Sequence, residues 1–282
     1  LTLKNPTLWT LNAPHLYKMK TTVRMGDKVI DQKFTNFGVR TVEWKPTGFY
    51  LNGERVQLKG VCQHHDLGPL GSAAHTRGYE RQIEILKEFG VNSIRTSHNP
   101  PAPEVLDLCD KMGILVIDEL FDVWQCSKEG VNNESFNEWH ERDVVNLCHR
   151  DRNHPSVIAW VPFNESWGLP DLEGSAAQRH AVVALHALAK ALDPSRLALG
   201  NDGWEHVAGD ALALHDYDHD ADRLRARFSR EGLPATVTRW RPGGHAAVVT
   251  PPGALPHDRG AGPVGAGIVG AQPVLLSEFG GI

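Results

Sequence analysis

The chain has 282 residues, 41% of them apolar and 22% charged, which suits a soluble globular protein with one large barrel or two ordinary domains. A formal charge of −5 gives no electrostatic case for nucleic acid or an anionic membrane, and no run approaches the ~20 apolar residues that span a bilayer. Cys62, Cys109, Cys126 and Cys148 form no C-x-x-C pair, which argues against structural zinc and for a reducing, cytoplasmic setting.

The chain opens on Leu1 with no starting Met and no signal-peptide pattern, so the natural N-terminus is expected upstream. Residues 1–44 read as all-β. Leu16–Val23 and Lys28–Phe34 flank Gly26-Asp27, a hairpin signal, and Thr41–Trp44 suits another strand. This is too little chain for an independent sandwich, so it predicts the tail of a β domain. Asn52-Gly53 marks a second tight hairpin, placed to plug the bottom of a barrel.

From there strands and helices alternate. Gln57–Cys62, Asn92–Arg95, Ile114–Glu119 and Val157–Asn164 read as strands. Helices are predicted over Tyr79–Phe89, Ala102–Met112, Ser135–His149 and Asp171–Leu192, with Gly90, Gly113 and Pro194 as stop signals. Leu197–Gly200 and Leu212–His215 suit strands five and six, Asp220–Arg230 a helix, and Val274–Glu278 a seventh strand. The Gly- and Pro-rich stretch 231–272 reads as a long loop. The alternation implies parallel strands with right-handed crossovers, hence a TIM barrel of the (β/α)8 type over 45–282. The chain ends at Ile282, soon after strand seven, so the barrel is expected to be truncated there. Every lysine but Lys190 lies at or before Lys128, yet the strand–helix rhythm crosses that shift, and no boundary is placed there.

Two apolar strands end in ionisable groups. Val157–Phe163 leads into Asn164-Glu165-Ser166-Trp167, and Pro273–Leu276 into Ser277-Glu278. Carboxylates at the carboxyl ends of barrel strands sit where such barrels do their chemistry, and a pair can act as general acid and nucleophile on a glycoside.

Several stretches together resemble glycoside hydrolase family 2, the β-galactosidase, β-glucuronidase and β-mannosidase family. Asp151–Trp160 continuing to Asn164-Glu165 resembles its acid/base signature, and Asn92–Pro100 a second signature. Gly60–Asp66 resembles the segment after its first strand, and Leu276–Gly280 its nucleophile strand. Asn5–Trp9 and Phe37–Arg40 resemble the end of the immunoglobulin-like domain before the barrel, which would make 1–44 that domain's C-terminal part.

The resemblance implies retention through a covalent glycosyl-enzyme. Glu165 is the expected acid/base, with a pKa raised by burial and by the neighbouring negative charge, and Glu278 the expected nucleophile. Asn164, His65, His98, Tyr217 and Trp204 are the expected substrate-binding residues, Tyr217 also donating a hydrogen bond to Glu278. Arg95 is expected to hold Glu278 ionised and Glu119 to support the site. Trp124 and Trp167 also follow strand ends and could stack on sugars. No cofactor and no metal are carried over, and the acids of His215–Asp222 read as solvated groups complementing a helix start. The expected partner is a carbohydrate, with homo-oligomerisation left open. The function implied is a retaining exo-β-glycosidase of β-galactosidase type. The alternatives are β-glucuronidase or β-mannosidase specificity, or an inactive, sugar-binding fragment.

Overall fold

The computed structural model describes residues 2–122, 135–239, 244–249 and 272–280. Its first elements, β1 (Tyr17–Met25) and β2 (Lys28–Phe37), form an antiparallel hairpin. Gly26 turns it at a φ of 60°, a conformation free of side-chain strain only for glycine. The strap before the hairpin is tied to the barrel. Trp9 is fully buried and its indole N–H donates to the Asp110 carbonyl at 2.9 Å. After the hairpin, the Arg40 guanidinium donates to the carbonyls of Pro155 and Val157 at 2.8 and 2.6 Å.

Next come β3 (Val42–Lys45), β4 (Gly48–Leu51) and β5 (Glu54–Val56), a three-stranded antiparallel sheet with Asn52-Gly53 in its second turn. Phe49 and Leu51 of this sheet pack on Leu115, Ile117, Ala159, Val161, Leu197, Leu199 and Ala213. Those residues line the amino-end interior of the barrel, so the small sheet closes its bottom. Each such burial contributes ~1.5–3 kcal/mol relative to exposure.

The barrel elements follow in order: β6 (Gly60–His64), α1 (Thr76–Glu88), β7 (Ser93–Ser97), α2 (Pro103–Met112), β8 (Leu115–Phe121), α3 (Phe136–Asp151), β9 (Val157–Asn164), α4 (Ala176–Leu192), β10 (Leu197–Ala198), β11 (Asn201–Asp202), β12 (Leu212–Asp216), α5 (Ala221–Phe228), α6 (Leu233–Arg239) and β13 (Val274–Phe279). Parallel pairing runs β10-β9-β8-β7-β6, with β11 also on β9, and β12 pairs in parallel with β13. Helices α1 to α4 cover the outer face, where Ile83, Leu106, Val144 and Val182 meet Ile94, Val116, Trp160 and Phe163. Among the described residues no strand joins β13 to β6. A cleft of about 770 Å³ opens there, lined by Val61, Cys62, Ile94, Arg95, Leu276 and Glu278.

The structure departs from the sequence expectations in three places. Helix α4 starts at Ala176, because the Ser175 hydroxyl caps it by accepting from the Gln178 N–H, while Asp171 closes a preceding turn by accepting from the Gly174 N–H. The expected fifth strand is split into β10 and β11 at Gly200, where an added Cβ would lie 1.9 Å from the Ala208 carbonyl oxygen. The expected loop 231–272 begins with α6, whose Val237 packs on Leu212 and Leu214, and Val248 bridges to His206. Trp124, Cys126 and much of that loop lie outside the described residues. No helix among the described residues is long and apolar enough to cross a membrane.

Candidate active site

The interior changes character along each strand. On β8 the inward positions run Leu115, Ile117, Glu119. On β7 they run Ser93, Arg95, Ser97, with Ile94 turned out to the helices. The pleat alternates side chains between faces, so the inward charged groups Arg95 and Glu119 share one face of the sheet.

Arg95 is the hub of that end, with its side chain only 3% exposed. Its Nη1 donates to Glu278 Oε2 at 2.7 Å, and its Nη2 donates to Asn164 Oδ1 at 2.7 Å and pairs with Glu119 Oε2 at 3.0 Å. Nε lies 2.6 Å from Asp202 Oδ2, an ion pair without hydrogen-bond alignment. Burial works against the guanidinium charge, but Asp202 and Glu119 outweigh it and hold Arg95 well above its ordinary range. A buried charge stays tolerable only when it is paired this fully.

Glu165 and Glu278 face each other at this mouth. Glu165 follows β9 in a left-handed conformation, φ 51°, and its N–H donates to the Asp202 carbonyl at 2.7 Å. The Tyr217 hydroxyl touches both carboxylates, Glu278 Oε1 at 2.8 Å and Glu165 Oε1. Nearest atoms of Glu165, His215 and Glu278 all lie within 4.8 Å of one another.

The protonation of Glu165 differs from the expectation. Burial does push its carboxyl up, but His215 opposes this by hydrogen bond and charge, and Tyr217 and Trp167 add two further donors. The balance lowers it to about 2. His215 Nδ1 lies 2.6 Å from Glu165 Oε1, and Trp167 Nε1 donates to Oε2 at 3.0 Å. His215 shifts the opposite way. Burial lowers it, but Asp202 and Glu165 outweigh burial and raise it to about 9. Burial and the two carboxylates push the Tyr217 phenol upward, so it remains a donor.

The other expected residues are placed as follows. Asn164 ends β9, its Nδ2 donating to Asp122 Oδ1 at 3.0 Å, so both ends of its amide are fixed. His98 Nδ1 meets Glu119 Oε1 at 2.9 Å, and burial outweighs Arg95 and His98 to raise Glu119. His65 is turned elsewhere: its ring nitrogens face the Ser72 carbonyl and the Tyr79 hydroxyl, both at 3.2 Å, on the α1 side of the rim. Trp204 is 6% exposed and stacked against His245 at 4.9 Å, so that ring face is covered and not offered to a sugar. Trp167, 41% exposed, is the indole that reaches the carboxylate pair.

His215, Asp202 and Asp122 complete the site and were not singled out from the sequence. The rule that found Glu165, an apolar strand ending in an ionisable group, applies equally to Leu212–His215. Asp202 lies on a strand of two residues, too short to leave a pattern. The acids after His215 have structural partners. Asp216 and Asp218 pair with Arg227 at 2.6 Å each, and Asp220 caps α5. Glu165, His215 and Glu278 are close enough to surround a small cation. Their donors and acceptors already match one another, however.

Comparison with known proteins meets this geometry from another side. Residues 42–224 match the TIM barrel domain of glycosyl hydrolases family 2, and residues 1–40 match a further family 2 domain. Beta-galactosidase BoGH2A of Bacteroides ovatus is 51% identical over 167 residues, covering 58% of this chain and 20% of that protein. A putative beta-glucuronidase of Formosa agariphila is 44% identical over 207 residues, 72% of this chain and 19% of that one. The crystal structure of a family 2 member from Bacteroides cellulosilyticus superposes with a TM-score of 0.68 at 32% identity, over 86% of this chain and 34% of that one. The chain thus spans about a fifth of the length of these curated relatives.

Proposed function

The chain belongs to glycosyl hydrolase family 2, and on that premise we propose that it carries the catalytic barrel of a retaining exo-β-glycosidase acting on terminal β-linked sugars, of β-galactosidase type. Residues 1–44 are then the end of an immunoglobulin-like domain and 45–282 the catalytic barrel. The observation that carries the reading is the approach of Glu165 and Glu278, whose nearest oxygens are within 4.8 Å. Retention needs carboxyls ~5–5.5 Å apart, whereas inversion needs ~6.5–9.5 Å to seat a water between carboxylate and sugar.

Glu278, braced by Arg95 and Tyr217, attacks the anomeric carbon. Glu165 protonates the departing oxygen, then takes a proton from the water that hydrolyses the glycosyl-enzyme. In this reading Asn164, its amide oriented by Arg95 and Asp122, and His98, held by Glu119, bind sugar hydroxyls. The β-galactosidase type is favoured by the 51% identity over 167 residues to a β-galactosidase. The β-glucuronidases among the relatives keep the glucuronide reading as the direct competitor.

A panel of nitrophenyl β-galactoside, β-glucuronide and β-mannoside tests the assignment. Turnover of the galactoside is expected, with Glu165→Ala impaired and rescued by azide as the β-glycosyl azide. Preference for the glucuronide would overturn the sugar choice, and absence of azide rescue would overturn the role of Glu165. The cleft between β6 and β13 among the described residues favours a second reading, that this chain alone binds sugar without turning it over. Turnover above background by the isolated chain removes it.

A further inference from the structure

We propose that His215 holds the proton that Glu165 delivers. Asp202, His215 and Glu165 form a carboxylate–imidazole–carboxylate chain, with His215 as a positioning residue acting through Glu165. This rests on the roles given to Glu165 and Glu278 above.

A general acid must bring a proton to the leaving oxygen, yet the surroundings of Glu165 suit an anion. Donors from His215 and Trp167 converge on it, and the Tyr217 hydroxyl, shared with Glu278, lies against it as well. The proton therefore rests on a neighbour, and the base in contact is His215, whose Nδ1 at 2.6 Å is near enough for direct transfer.

The ring is fixed in that position. It is fully buried, and Gly203 presses against it, so that a Cβ there would lie 2.6 Å from Nδ1. Its Nε2 sits 3.5 Å from Asp202 Oδ2, an ion-pair contact without a hydrogen bond, and the edge of the ring meets Trp204 at 6.0 Å. The charged and titratable groups facing it are Asp202 from β11, Glu165 after β9, Glu278 from β13 at 3.8 Å, Arg95 from β7, and Tyr217 at 3.5 Å. Three carboxylates against one guanidinium favour the imidazolium. Asp202 does not compete for the proton, because Ser277 Oγ donates to it at 2.5 Å and Arg95 pairs with it.

The steps balance. At rest His215 is protonated and Glu165 ionised. The proton passes from Nδ1 to the Glu165 carboxylate and on to the glycosidic oxygen. The C1–O bond breaks with its electron pair kept by that oxygen, and a Glu278 oxygen bonds to C1. His215 is now neutral and Glu165 ionised. In the second half Glu165 takes a proton from water as the water oxygen bonds to C1 and the Glu278–C1 bond breaks. Return of that proton to Nδ1 restores the start.

The test uses ¹⁵N spectra of the full chain with labelled histidines, so that it does not depend on turnover. One imidazole signal, absent from His215→Asn, should remain doubly protonated through pH 8, and should titrate at lower pH in Glu165→Gln and in Asp202→Asn. In kinetics on the sugar that the panel identifies, His215→Asn should lose about 10²-fold in kcat/KM above pH 7 with an alkyl glycoside, and less than about threefold with a dinitrophenyl glycoside that needs no acid. The alkaline limb with the alkyl substrate should move to lower pH. Circular dichroism checks that the variant folds, and His215→Gln replaces it if it does not. A His215 signal titrating near its ordinary 6.5, or equal loss on both substrates with an unmoved limb, overturns the proposal. Failure of azide to rescue Glu165→Ala would instead overturn the reading on which it rests.

Discussion

In the lower part of the interior, Leu115, Ile117, Ala159 and Leu197 cluster with Phe49 and Leu51. A few residues further along, the same strands present Glu119, Asn164 and Asp202 to Arg95. Both layers are buried within the same set of strands. The lower gains stability from apolar area removed from water. The upper offsets the desolvation of its charges only by pairing nearly all of them, and its chemistry depends on how that pairing divides the protons. Stability and function are thus segregated by depth within one interior, which makes the division testable by substitution.

Arg95→Met should do most damage, because it removes the cation shared by Glu119, Asp202 and Glu278 and leaves the first two fully buried without it. A loss of about 3–5 kcal/mol is expected in urea unfolding, together with loss of turnover. An unchanged midpoint would mean that the upper layer does not depend on this hub. Phe49→Ala in the lower layer should also cost about 3–5 kcal/mol. There kcat/KM per folded molecule should stay within about twofold, and a large drop in it would break the division by depth.

Acid sharpens the comparison without mutation. His206 is buried, and burial, helped by the charge of His186, lowers its pKa to about 4. The unfolded chain takes up this proton near 6.5 and the folded chain does not. Stability is therefore lost as pH falls from about 6.5 to about 4, by up to about 3 kcal/mol, and does not fall further from this group below that. His206→Gln should flatten that part of the stability curve, and an unaltered slope would assign the acid sensitivity elsewhere. The smallest effect is expected from Gly203→Ala. Gly203 has a φ of 110° and the His215 ring lies against it. A cost of about 1–3 kcal/mol follows from strain, with a larger relative loss for alkyl than for dinitrophenyl glycosides. Equal losses on the two substrates would detach Gly203 from the proton chain.

The lower layer was largely legible in the sequence, since continuous apolar runs mark buried parallel strands. Val157–Asn164 was read with the bounds it has in the structure. Glu165, Glu278 and Arg95 are legible as strand-end residues inside recognisable motifs and Tyr217 from its place just after strand six, and the structure brings these four together. Three-dimensional neighbours were not legible. The pKa of Glu165 was expected to rise because burial and a second carboxylate were visible, while the donors from His215 and Trp167 were not. Trp204 reads as a sugar platform until His245, far away in sequence, is seen against it. His65 reads as part of the mouth until Tyr79 and Ser72 are seen to engage it.

Tyr217 places one phenol between two acids, and a phenol has a single hydrogen to give. In the cycle proposed here the hydrogen can serve Glu278 only while that residue is free. Once Glu278 is esterified, its oxygen becomes a poorer acceptor and the hydrogen turns to Glu165. One rotating O–H thus keeps the two half-reactions in phase. A phenylalanine there would keep the ring and remove the timing, leaving each acid to find its own partner from water.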